Sequence, residues 1–564
     1  MKKKFLIFLL FSTLLYGEKL ELFFDGNVKI SSSELYGSLD LYEPSFYEFY
    51  IENPSIEPKT IDLITQTIKD YYKTKGFFHT DVIYLKNDKF ITIKIEEKSP
   101  IIVKNISNIS DLDLSKNIPF KVGDIFDATK FTQSKKEIRL LYANKSFCNA
   151  SVDAKAWIDI ELNEAYLKYE SAQNKKCYFG KVKVNPPKDI DEEIVKSILY
   201  IDENEPFSVN KIDRSYEELY SYEGISKAII DTNVVDENIV DVSVDVMQNE
   251  KPLRFEFGVG ASSDEGAMVS TGVTNRNFLG NLKTLSLKTR IAQIRQNVKL
   301  NFDMPLMNKN FTGFETGYEN EIFEGFKEYK FFSSIYLKQK KSTHIFKESI
   351  VFDKINTYDS SDETLFPTTH LFVISPKLEY SYDARDKILD PTSGYFVNGE
   401  VMGSTKSELS DATYYKLKAS GGYIHSLQKS IVAIKGTYGV LKLFDGDVPT
   451  SYRFFAGGMY SNRGYGYREL GTTNALGDPI GFNSILELTA ELRFKIYGDF
   501  SGVVFNDNTY IGDSNIPEYG HGYHSAGFGL RYKTPIGPIA IDFGFDVKNP
   551  TKQYAVHFHI GELF

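Results

Sequence analysis

Leu486-Glu487-Leu488-Thr489-Ala490-Glu491-Leu492-Arg493-Phe494-Lys495-Ile496 alternates without a break. In an extended chain Leu486, Leu488, Ala490, Leu492, Phe494 and Ile496 share one face; Glu487, Thr489, Glu491, Arg493 and Lys495 share the other. The same texture returns downstream. Ile539, Ile541, Phe543, Phe545 and Val547 alternate with Ala540, Asp542, Gly544 and Asp546, and Tyr554, Val556, Phe558, Ile560 and Phe564 oppose His557, His559 and Gly561. About sixteen such segments lie between Leu253 and Phe564. A soluble sandwich also alternates. Here, however, the segments run to about ten residues or more, the length a tilted membrane strand requires. Closing them into a barrel satisfies every backbone group in lipid. The apolar face then meets lipid and the polar face lines a wet lumen. Residues 251–564 are therefore expected to form a 16-stranded antiparallel transmembrane β-barrel.

Composition agrees with that expectation. Phe 43, Tyr 37 and Trp 1 bring the aromatic share to 14%, a richness that favours β-structure and supplies interfacial girdles. The formal net charge of −10 argues against wholesale nucleic-acid binding, which needs a basic footprint. The first residues carry basic Lys2, Lys3 and Lys4, then apolar Phe5 to Leu15. Residues 1–17 are read as a signal peptide, although Leu15 is a poor small residue at −3; the alternative is an uncleaved anchor. The two cysteines, Cys148 and Cys177, would then reach an oxidising compartment that permits one disulfide. The alternative is two separate small core residues.

Before Lys251 strands and helices alternate, and a motif repeats. One copy is Tyr71-Tyr72-Lys73-Thr74-Lys75-Gly76-Phe77-Phe78. A second is Leu141-Tyr142-Ala143-Asn144-Lys145-Ser146-Phe147-Cys148, and a weaker third is Leu219-Tyr220-Ser221-Tyr222-Glu223-Gly224-Ile225-Ser226. Each ends an amphipathic helix and starts a strand, with Gly76 and Gly224 expected in the left-handed conformation. Around each copy the order reads strand, helix, helix, strand, strand. The expected α+β modules span 18–98, 99–174 and 175–250.

The longest break between barrel strands runs from about Gly446 to Gly481 and holds Phe454-Phe455-Ala456-Gly457-Gly458-Met459-Tyr460-Ser461-Asn462-Arg463-Gly464-Tyr465. A long loop dense in Gly and aromatics around one Arg suits folding back into a lumen. The Arg463-Gly464-Tyr465 triplet resembles the sixth-loop tip of the BamA/TamA superfamily of outer-membrane barrels. Asn277-Phe278-Leu279-Gly280, Tyr382-Asp383-Ala384-Arg385-Asp386 with Pro391-Thr392-Ser393-Gly394, and Thr534-Pro535-Ile536-Gly537-Pro538 with Asp542 resemble further segments of it. Tyr178-Phe179-Gly180 resembles the opening of its periplasmic POTRA modules. The resemblance covers nearly the whole chain past residue 17.

A guanidinium in a barrel lumen calls for a carboxylate. By alternation Glu487 and Glu491 face inward, and Phe505 and Asp507 share a face. The resemblance implies that Arg463 meets one acidic residue on each of the twelfth and thirteenth strands, here Glu491 and Asp507. Asn508-Thr509 departs from the family's small residue and Gly at that point, which bears on a strand bend and not on the Asp. A lateral gate is expected between the first and last strands, at Phe257, Gly258 and Gly260 against Phe558, Ile560 and Gly561. The first strand reads as short and weakened by its glycines; the alternative role of those glycines is to relieve lumenal crowding. Phe564 resembles a terminal assembly signal.

No G-x-S-x-G elbow, Walker loop, Rossmann glycine pattern or H-E-x-x-H is present, so no enzyme activity, metal or cofactor is expected. What the resemblance implies is an assembly factor in the outer membrane with its modules in the periplasm. It would insert or translocate unfolded barrel or autotransporter clients. Three modules favour the TamA type, with a TamB-like periplasm-spanning partner and outer-membrane lipid as neighbours. The alternatives are BamA-like general barrel assembly and a two-partner secretion pore. The absence of a helix before the strand at Leu20 argues against the last.

Overall fold

The computed structural model describes residues 19–42, 53–307, 309–341, 343–388, 390–427, 430–497, 499–534 and 538–560. The expected signal peptide, Gly561, Phe564 and part of the Thr534–Pro538 motif lie outside the described residues. The chain divides into two units, and the division passes through the third N-terminal module.

In the first module a 14-residue helix, Ile61–Thr74, buries Ile61, Ile64, Ile68 and Tyr72. These positions repeat at helical spacing, so one stripe packs on the sheet. The sheet has four strands, with Leu20–Asp25 parallel to Phe90–Glu96 and the latter antiparallel to Asp81–Lys86. Gly76 ends the helix at φ +91°, as expected. The second module repeats the plan: helix Ala128–Asn144 covers strands Ile102–Ser110, Glu164–Ala172 and Ser151–Asp159, with Glu164–Ala172 in the middle. Tyr142 is fully buried, as Tyr72 is at the same place in its copy. Ser146, at φ +72°, takes the left-handed position. The third module holds strand Tyr178–Asn185, helices Glu192–Ile198 and Val209–Ser221, and strands Ile225–Asp236 and Ile239–Gln248.

Two expectations are corrected here. No helix is found between Ser110 and Ala128. That stretch is rich in turn formers, and the Asp113 carboxylate accepts from the Ser115 amide at 2.9 Å in place of a helical bond. Gly224 is not left-handed. It is glycine for space, because a Cβ there would lie 2.6 Å from the Arg276 carbonyl oxygen.

Cys148 and Cys177 form a disulfide with Cα atoms 5.8 Å apart. The Cys177 amide also donates to the Ser146 carbonyl at 2.6 Å. The bridge joins the loop after the Ala128–Asn144 helix to the residue just before Tyr178. It therefore crosses the boundary drawn between residues 174 and 175.

The second unit contains one sheet of sixteen strands in sequence order, from Leu253–Ser262 to Tyr554–Ile560. Successive strands are antiparallel. The first strand shows the alternation clearly: Phe255 and Phe257 are about three-quarters exposed, while Arg254, Glu256 and Gly258 are half-buried. Outward apolar residues and buried Glu491, Arg493, Asp507 and Asp542 put the polar face inside. This is the inverse of a soluble core and the pattern of a membrane barrel.

Candidate functional site: the lumenal loop and the seam

The loop from Gly446 to Ser484 folds into the barrel on an apolar base. Tyr452, Phe454, Leu470 and Phe482 pack with Tyr414 and Leu441 of the wall. The Tyr452 hydroxyl donates to Asp353 at 2.8 Å, and the Ser451 hydroxyl to Glu328 at 2.6 Å. The loop leaves a lumenal cavity of about 860 Å³ whose wall carries both signs of charge.

At the tip Arg463 is fully buried. Its Nε and Nη2 each donate to Asp507 at 2.9 Å, a bidentate fork. Nη1 donates to Glu491 at 2.6 Å and to Asp542 at 3.3 Å. The guanidinium lies 3.5 Å above the centre of the Phe505 ring. Arg493 pairs with the second oxygen of Glu491 at 3.0 Å, and Arg531 pairs with Asp542. Three guanidinium groups thus neutralise three carboxylates away from water. Asp507 differs from the other two: within this cluster Arg463 is the cation that holds it.

The backbone of the tip is held as closely. Asn462 accepts from Ser525 Oγ and from the Gly464 amide, and the Tyr465 hydroxyl donates to Asp546 at 3.1 Å. A Cβ at Gly544 would lie 2.0 Å from the Arg463 carbonyl oxygen, and one at Gly464 would lie 2.1 Å from Ser525 Oγ. No side chain fits at either position, so glycine on both partners permits the contact.

Sequence reasoning brought Arg463, Glu491 and Asp507 together, and the structure places them within hydrogen-bonding distance. Glu487 also faces inward, but accepts from Ser461 Oγ instead. Several residues escaped it. Alternation puts Asp542 inside without assigning it to Arg463. Arg468, at φ +63°, is a second anchor of the loop. It pairs with Glu321, which Arg295 also grips, and stacks 4.1 Å from the centre of Phe323. The signal for it was the inward register of Glu321 on strand Asn310–Ile322.

The seam is built differently. Phe257, Gly258 and Gly260 pair with Thr271, Ser270 and Met268 of the second strand. Phe558 and Ile560 pair with Ile541 and Ile539 of the fifteenth. The first strand is ten residues long and paired to the second throughout, so it is no shorter than its neighbour. A Cβ on Gly258 would lie 2.6 Å from Ser270 Oγ, which fits the crowding role of that glycine. Among the described residues, no ladder joins the first strand to the sixteenth. The Ser263 amide donates to the Phe558 carbonyl at 3.1 Å, just beyond the end of the first strand.

The pattern of the Omp85 superfamily domain matches residues 277–564. The chain belongs to the Omp85 superfamily. The POTRA pattern, described as a surface antigen variable number repeat, matches residues 99–170, the second module. The outer membrane protein assembly factor BamA of Neisseria meningitidis serogroup B is 20% identical over 634 residues, covering 96% of this chain and 77% of that protein. The BamA of Nitratidesulfovibrio vulgaris is 22% identical over 609 residues, covering 98% and 73%. The crystal structure of Haemophilus ducreyi BamA lacking POTRA domains 1–3 shares the fold, with TM-score 0.62 at 18% identity over 82% of this chain and 99% of that one. This Omp85 chain is an outer-membrane β-barrel protein whose POTRA region lies in the periplasm.

Proposed function

We propose that this protein assembles β-rich client proteins at the outer membrane, receiving client strands at the seam between its first and sixteenth strands. The observation that carries the reading is that, among the described residues, no ladder joins the first strand to the sixteenth in a sheet otherwise hydrogen-bonded strand to strand. Backbone groups along such an edge offer a template to an incoming strand. The names of the BamA relatives, outer membrane protein assembly factors, support the same reading. The driving force would be client folding, since the sequence offers no nucleotide-binding loop and no enzymatic motif.

Within that role we assign the chain to the TamA type, acting on a few autotransporter-like clients with a TamB-like partner. The three N-terminal sheets among the described residues support this type. Depletion read by outer-membrane proteomics tests the assignment. Loss of a few autotransporter-like proteins from viable cells is the expected result. Loss of nearly all barrels together with viability would make the role BamA-like. Unchanged barrels would overturn assembly and favour dedicated secretion or lipid transport.

A further inference from the structure

The turn of the first barrel hairpin touches more than its own strands. Ser263, Asp264 and Glu265 connect strand Leu253–Ser262 to strand Gly266–Asn275. From the loop side, the Met459 amide donates to Asp264 Oδ2 at 3.0 Å. That contact depends on Gly458, where a Cβ would lie 2.8 Å from the same oxygen. From the last strand, His557 Nδ1 lies 3.4 Å from Asp264 Oδ1 and 3.3 Å from Ser263 Oγ. The opposite ring nitrogen, His557 Nε2, is 3.2 Å from the carbonyl oxygen of Arg463. Asp264 and His557 are both buried. The Ser263 amide bond to the Phe558 carbonyl and the Phe558 amide bond to Ser263 Oγ at 3.4 Å both sit at this same point.

We propose that the Ser263-Asp264 turn is a latch that couples the lumenal loop to the seam. Two sides of the Asp264 carboxylate are used, one by the loop and one by the last strand. His557 links the turn to the residue that anchors the loop tip: Nε2–H donates to the Arg463 carbonyl, Nδ1 meets Ser263 Oγ, and the imidazolium form also pairs with Asp264. Parting the first strand from the sixteenth therefore breaks contacts that hold the loop, and withdrawing the loop removes contacts that close the seam. Among the described residues the backbone bonds across the seam converge on this turn, so it resists separation there. Asp264 and His557 act here as positioning residues. The benefit to a client, an entry that opens only as the loop moves, rests on the assembly reading above. The latch itself is tested without a client, so either idea can fail alone.

The test uses the full chain in lipid nanodiscs with spin labels at introduced cysteines. Val259→Cys with Val556→Cys, both outward-facing, reports the seam. Leu409→Cys with Leu476→Cys, both exposed, reports the loop against the turn joining strands Gly394–Ser404 and Ala412–Leu427. In Asp264→Asn the expected result is a several-fold rise in the long-distance fraction for both pairs. Arg463→Lys, which loosens the loop directly, should widen the seam pair as well, and the double variant should widen it no further than the larger single. An unchanged seam pair in Asp264→Asn would overturn the latch. So would strictly additive effects in the double variant. If Asp264→Asn fails to give the compact barrel band on unheated gels, His557→Gln replaces it, since it removes the imidazole's contacts to the turn and to the Arg463 carbonyl while keeping the Met459–Asp264 bond. The same widening is then expected, and an unchanged seam is again the contrary result.

Discussion

The loop tip and the seam both close this barrel, and they do so by opposite means. At the tip, Arg463 is buried among three carboxylates, stacked on an aromatic ring, and pressed against glycines that leave no room for a methyl group. At the seam, two edge strands meet at one turn with no ladder between them among the described residues. The difference is one of reversibility. A buried charge network is costly to break piecemeal, because each orphaned charge is left without water. A seam held at one point opens locally, at the low-stability end of the fold. Under the assembly reading proposed above, a barrel that parts its wall while its lumen stays plugged needs both.

The comparison breaks first at Arg463. Replacing it with Ala leaves Asp507 buried without its cation, while Arg493 and Arg531 still serve Glu491 and Asp542. The loss should be on the order of 3–5 kcal/mol, as for other buried pairs cut on one side. Unheated gel mobility and urea unfolding would read it, and adding Asp507→Asn should recover part of it. Next comes Gly544→Ala. Its Cβ would meet the Arg463 carbonyl oxygen at 2.0 Å, so the tip must shift, at roughly 1–3 kcal/mol by analogy with overpacked cores. Thermal unfolding in detergent measures that.

At the seam the expected effects are smaller. Ser263→Ala removes the hydroxyl that faces His557 and accepts from the Phe558 amide, and keeps the Ser263 amide bond to the Phe558 carbonyl. A change of about 0.5–1.5 kcal/mol follows, the value of an ordinary hydrogen bond. It should speed amide exchange in the Leu253–Ser262 strand and leave the Ser484–Tyr497 strand protected. Equal acceleration in both would erase the contrast between tip and seam. The smallest effect lies outside both regions. Burial pushes the Glu218 carboxyl above the ordinary carboxylate range, against the pull of Lys340 and Lys309. A raised pKa means that its favourable contribution is complete at acid pH and is lost as pH rises through the raised value. Glu218→Gln should therefore raise the melting temperature slightly at neutral pH and leave it unchanged below the ordinary carboxylate range.

Much of this was legible in the sequence because strand periodicity is local. Alternation alone places Glu491, Asp507 and Asp542 inside, and it separates Phe505 and Asp507 from their lipid-facing neighbours. What it does not carry is pairing between distant segments. Asp264 sits in a hairpin turn far in sequence from Met459 and His557, and no periodicity marks it. His557 read only as a polar lumenal residue for the same reason. The missing helix of the second module reflects turn chemistry overriding a repeat. Gly224 looked like a helix cap because its copy, Gly76, is one, yet a neighbouring backbone rather than a dihedral dictates it.

Clients are proposed to enter between the first and sixteenth strands, where no ladder joins the two among the described residues. The direct measurement is insertion of a barrel client into proteoliposomes after a short thioether cross-link ties the first strand to the sixteenth. The same cross-link between the second and third strands serves as control. Insertion should be lost in the first case and retained in the second. Full insertion with the seam tied would contradict entry there.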